Sequence, residues 1–114
     1  MLSLPDLQKL VFLSAEENQV VRYNSTFILS KFSDKRLLST ARSSLLKARQ
    51  EENANGIYNA ILIISFLFDD LEEKQQVDTI LFLEKNVPTD KEASWRLLKK
   101  VCKKAELSCE PRTT

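Results

Sequence analysis

Ile57-Tyr-Asn-Ala-Ile-Leu-Ile-Ile-Ser-Phe-Leu-Phe68 is apolar on nearly every side of a helix, with no charged residue until Asp69 and Asp70 stop it. A helix of that kind has no wet face and must be covered all round by other elements. Its length, about 12 residues against the roughly 20 needed to cross a bilayer, predicts a buried helix of a folded domain and no membrane partner. The chain around it has 114 residues, one glycine (Gly56) and three prolines (Pro5, Pro88, Pro111), too little turn punctuation for a sandwich or barrel of short strands. The expected fold is therefore all-α, a single domain over residues 1–107 with a loose tail at 108–114.

Working outward, Ser3 and Pro5 open a short helix carrying Leu7, Leu10, Val11 and Leu13, and Ser14 with Glu17 matches a capping box for the next. That second helix carries Val20, Val21, Tyr23, Phe27, Ile28 and Phe32, and Ser33-Asp34 closes it. A third presents Leu37, Leu38, Ala41, Leu45 and Ala48 at helical spacing. The polar run Glu51-Glu-Asn-Ala-Asn-Gly56 reads as a loop that leads into the central helix. A further helix holds Leu71, Val77, Ile80, Leu81 and Leu83, with Glu72 and Glu73 where the helix dipole favours negative charge. Thr89 with Glu92 then matches a second capping box before a last helix striped with Leu97, Leu98, Val101, Cys102 and Ala105. Five to six helices result.

Aligned with itself, the chain repeats. Tyr23-Asn24 recurs 35 residues later as Tyr58-Asn59, Ile28 falls on Ile63, Ser30 on Ser65, Asp34 on Asp69 and Leu46 on Leu81. A weaker third copy begins near Trp95. Units of this length with two helices each predict stacked helical hairpins, a fragment of an α-solenoid with units near 21–55, 56–90 and 91–107. Such stacking accounts for a central helix that is greasy all round, and an uncovered end of the stack would favour oligomers.

Net charge is +1, so composition alone selects no partner. The cations are nevertheless clustered in one place: Arg96, Lys99, Lys100, Lys103 and Lys104 lie within nine residues, opposite the apolar stripe of the last helix. Such a stripe suits phosphates, and it equally suits a solvated outer face near a helix C-terminus. The chain has no histidine, no nucleophile–base pair and no glycine-rich phosphate loop, which points away from an enzyme and from any cofactor. Without histidine, Cys102 and Cys109 make no zinc site of the usual kinds, and the expectation is two free thiols in a reducing, intracellular compartment.

The period of 35, Val21-Arg-Tyr-Asn-Ser25 and Gly56-Ile-Tyr-Asn-Ala60 at the starts of two units, Leu71-Glu72-Glu73 within the second helix and Pro88-Thr89-Asp90 at its close resemble the pentatricopeptide-repeat family. Repeats there typically begin Val-Thr-Tyr-Asn, contain Leu-Glu-Glu-Ala and end near Pro-Asp. Here the alanine is replaced by Ser39 and Lys74, and HEAT, armadillo and tetratricopeptide arrays, built on the same hairpin physics, stay open. The resemblance implies binding of single-stranded RNA through the first helices of the repeats, one base per unit, and a mitochondrial location. It assigns base contacts to Ser25 with Asn55 and to Ala60 with Asp90, and would put Leu97 at the equivalent place in the third unit. Ser25 and Asn55 have the donors and acceptors for that duty, whereas Ala60 has none. Asn55 and Asp90 also stand where helix N-caps belong. The alternative of a different class is an α-helical scaffold that binds another protein and no nucleic acid.

Overall fold

The structure, a computed structural model, describes residues 2–107 and 109. Among them are six α-helices and no strand: α1 (Leu4–Leu13), α2 (Gln19–Leu29), α3 (Leu38–Gln50), α4 (Ala54–Leu67), α5 (Glu73–Asn86) and α6 (Glu92–Lys104). Single 3-10 turns, Lys35–Leu37 and Phe68–Asp70, lead into α3 and follow α4. No helix of the described residues is long and apolar enough to cross a membrane.

Local chemistry sets the boundaries. Ser3 caps α1, accepting from the Asp6 amide while the Asp6 carboxylate accepts from the Ser3 amide. The Ser3 amide and hydroxyl, both donating to the Asp6 carboxylate, hold it below the usual aspartate range. Asn18, not the expected Ser14–Glu17 box, caps α2 by accepting from the Val20 and Val21 amides. Ser14 instead ends α1 with its hydroxyl bonded back to the Val11 carbonyl. The loop before α4 is shorter than predicted, because α3 ends in a Schellman motif. Glu52 takes a left-handed φ of 55°, and the Asn53 amide donates to the Ala48 carbonyl at 2.8 Å. Asn53 is then placed to cap α4 through the Gly56 amide, a duty expected of Asn55. The Thr89–Glu92 box also does not form; Lys91 occupies the cap position of α6 with no side-chain cap bond, so Asp90 is not a cap either.

A second Schellman motif corrects the expectation of free thiols. Glu106 is left-handed (φ 58°) and the Leu107 amide donates to the Cys102 carbonyl at 2.9 Å, so the chain doubles back along α6. That reversal brings Cys109 to Cys102, Cα to Cα 6.0 Å, and the two form a disulfide. The rest of the predicted tail, Ser108 and residues 110–114, lies outside the described residues.

The helices form two rows. In one, α3 packs on α1 and α5; in the other, α4 packs on α2 and α6; α1 packs against α2 and α3 against α4 across the rows. Polar bonds within each row join residues roughly one period apart. Gln8 donates to Thr40 Oγ1 (3.3 Å), Arg42 pairs with Asp78 (3.1 Å), Arg49 donates to Asn86 (3.3 Å) and Lys104 pairs with Asp69 (3.1 Å). Just past α2, the Ser33 hydroxyl bonds to Asp70 and to the Phe66 carbonyl. Thus α2, α4 and α6 run parallel, their C-terminal ends on one side.

The central helix is buried over most of its surface but not all round: Tyr58 stays 36% exposed on its outer side. Ile57, Ala60, Ile61, Ile63, Ile64 and Leu67 of α4 are each at most 1% exposed, and they share one core with Leu29, Leu45, Leu83 and Leu98 from its neighbours. Each such aliphatic side chain larger than alanine contributes about 1.5–3 kcal/mol by leaving water. Gly56 stands at the closest approach: a Cβ there would meet Ala48 Cβ at 2.8 Å and Ala15 Cβ at 3.1 Å. Only glycine lets the start of α4 sit so near both neighbouring turns.

Candidate nucleic-acid interface

On α6, burial of Ser94, Trp95, Leu98, Val101 and Cys102 forces the alternate face outward. Trp95 is packed, as its place near the helix start suggests, with its indole N–H donating to the Pro88 carbonyl at 2.9 Å. Arg96, Lys99, Lys100, Lys103 and Lys104 consequently form one exposed stripe. Two of the five have carboxylate partners, Arg96 with Glu92 at 3.8 Å and Lys104 with Asp69 at 3.1 Å. Both pairs are solvent-exposed, and exposed pairs of this type hold their partners weakly, by about 1 kcal/mol or less. Lys99, Lys100 and Lys103 make no ion pair among the described residues, so their charge is open to a ligand.

The neighbouring helices of the same row carry no carboxylate at all between Gln19 and Leu29 or between Ala54 and Leu67. Within its helices the α2–α4–α6 row holds six cations (Arg22 and the stripe) against one carboxylate, Glu92. The other row holds six against four. Net charge conceals this asymmetry, because the compensating acids sit in the turns, among them Glu16, Glu17, Glu51 and Glu52 around a cleft where the rows join.

The outer face of α2 and α4 is aromatic. Tyr23 is 68% exposed, Phe27 53% and Tyr58 36%. The Tyr23 and Phe27 rings lie 15° from parallel with centroids 6.4 Å apart, and the Lys31 ammonium sits 5.0 Å from the Phe27 centroid. Between α2 and α4 runs a groove that Tyr23, Phe27, Asn55, Asn59, Leu62 and Phe66 line.

This geometry dismantles the base-reading pairs that the resemblance implies. Ser25 is 4% exposed and Ala60 fully buried, so neither reaches a base. Helical spacing explains why: Tyr23 and Phe27 point outward, and residue 25, two positions from each, is turned to the opposite side against the core. Asn55 is exposed in the groove, Asp90 is exposed beside Lys91 (3.7 Å), and Leu97 is half-buried. The cationic stripe, by contrast, lies on one open face. Reading the sequence for core residues passed over Tyr23, Phe27 and Tyr58 as surface groups, since an aromatic pair four residues apart on a helix is ordinarily interior. The signal that distinguishes them is position in the row, which only tertiary structure supplies.

Among the described residues no group of three or more His, Cys, Asp or Glu is placed to hold a metal ion. Asp34 is drawn below the usual aspartate range by hydrogen bonds from the Arg36 side chain and amide, a local staple of the turn into α3. Compared with protein-family models, with curated proteins and with solved structures, the chain matches none.

Proposed function

We propose that this chain is a non-catalytic helical-repeat module that binds single-stranded RNA on the outer face of the α2–α4–α6 row. Binding is by phosphate contacts and base stacking, without a one-base-per-repeat code. The observation that carries the proposal is the open stripe of Lys99, Lys100 and Lys103, flanked by Arg96 and Lys104, together with exposed aromatic rings on the two other helices of the row, which are free of carboxylates. Cations that track a backbone together with aromatic platforms are the combination that sequence-tolerant single-strand binders use. Within-row spacings near 35 residues support kinship with helical-repeat proteins in general, and the burial of Ser25 and Ala60 weighs against the pentatricopeptide code in particular.

A second reading, a protein-binding scaffold, draws on the other row, where Leu46, Val77 and Leu81 are each 40–43% exposed. Titration of labelled oligo-U and oligo-A RNA at about 50 and 200 mM salt separates the two. If four phosphates are neutralised, affinity falls by roughly 50-fold across that range. The K99E/K100E/K103E variant is expected to lose most low-salt affinity, and Ser25→Ala to change nothing. Absence of binding at low salt, or a triple variant that binds like the parent, would overturn the RNA reading in favour of the scaffold.

A further inference from the structure

We infer that Tyr23 and Phe27 form a clamp that takes one unpaired nucleobase between their rings, with Lys31 and the Asn55 amide at its margins; this rests on the RNA reading above. The rings are near parallel with centroids 6.4 Å apart, at the wide end of the roughly 4.5–7 Å of an aromatic pair. Two van der Waals thicknesses of about 3.5 Å each, the spacing needed on either side of an inserted ring, total about 7 Å. An outward turn of either side chain opens the pair to that spacing, and both are more than half exposed and so free to make it.

The surroundings fit a nucleotide better than an apolar side chain. Lys31 stands four residues beyond Phe27, in the turn just past α2, its ammonium 5.0 Å from the ring, where it meets a flanking phosphate. Across the groove, Asn55 has an exposed side-chain amide that makes no hydrogen bond among the described residues, whereas Asn59 is committed to the Ser14 carbonyl at 2.7 Å. An amide offers both donor and acceptor, which suits the edge of a purine or a pyrimidine alike. The position one period later lacks the second wall: Tyr58 is there, but Leu62 replaces Phe27, so the clamp is a property of α2 alone.

The test compares binding of a uridine 12-mer with that of an abasic strand of equal length, read by anisotropy, and follows fluorescence of a 12-mer that carries 2-aminopurine. The parent protein is expected to prefer the base-bearing strand by about tenfold and to quench 2-aminopurine. Y23L/F27L, two exposed positions whose change leaves the core untouched, should abolish preference and quenching but keep the salt dependence. Tyr23→Trp should restore or strengthen both. K99E/K100E/K103E should weaken both strands equally and retain the preference. Equal affinity of the parent for the two strands, or an unchanged preference in Y23L/F27L, would overturn the clamp while leaving RNA binding in place. Failure of the parent to bind either strand would overturn both.

Discussion

Helices α2 and α4 start 35 residues apart, at Gln19 and Ala54, and carry Tyr-Asn at matching positions, yet one is half wet and the other mostly buried. Their common features are those that face the hairpin partner: Ser25 and Leu29 are buried in α2 as Ala60 and Ile64 are in α4. Both begin at an asparagine cap, Asn18 and Asn53. Their differences lie on the flank turned toward the preceding helix of the row. Ile63, Leu62 and Asn59 of α4 are covered or half-covered there, Asn59 bonding to the turn after α1, whereas Ile28 is half-buried and Phe27 and Asn24 are exposed. Among the described residues no helix packs on that flank of α2. Matching residues thus form core where a helix is covered on both flanks and open surface where, among the described residues, it is not, and the aromatics left uncovered are those to which we assign ligand contact.

Paired substitutions at equivalent positions break or sharpen that contrast. The largest difference is expected at the covered flank: Ile63→Ala should cost about 2–5 kcal/mol in chemical denaturation, and Ile28→Ala about 1. Similar costs at both would mean that α2 is covered in solution. Next come the caps. Asn53→Ala loses a cap worth about 1 kcal/mol and, in addition, the 2.8 Å bond from its side chain to the Ala15 carbonyl, for a total of about 2. Asn18→Ala loses only the cap, about 1 kcal/mol.

Gly56 and Val21 form the third pair. A methyl group at Gly56 collides with Ala48 and Ala15, short side chains that cannot swing away, at a cost of about 1–3 kcal/mol. Helix propensity in the first turn returns less than about 1 of this, so Gly56→Ala should be net destabilising by about 1–2 kcal/mol. Half-buried Val21 should tolerate alanine at a cost below about 1. The smallest effect is electrostatic. Because the folded state lowers the Asp34 pKa, its contribution to stability is present above the ordinary aspartate value and fades as pH falls through the folded value. A carboxyl-carbon NMR titration should show this depression, and Arg36→Ala should reduce it, leaving the part that the residue-36 amide supplies.

What the sequence disclosed and what it withheld divide along physical lines. Helical class and the central helix were legible because they depend on hydropathy, which is local and periodic. The cationic stripe was legible for the same reason. Turn details were not: the left-handed Glu52 and Glu106 occupy positions where glycine is the usual signal, so both the start of α4 and the return of Cys109 were concealed. The Asn18–Asn53 correspondence was present in the sequence but outweighed by more conventional capping-box matches nearby. Ser25 failed as a base reader through simple helical geometry, since a residue two places from an exposed ring faces the core.

The claim that all of this supports is that one row of helices, and not the other, is the ligand face. Backbone amide shifts recorded while a uridine 12-mer is added to the intact chain test it residue by residue. The account predicts changes confined to the exposed positions of α2, α4 and α6, strongest around Tyr23, Phe27, Lys99 and Lys103, with α3 and α5 silent. Changes centred on Leu46, Val77 and Leu81, or no change at saturating RNA, would contradict it.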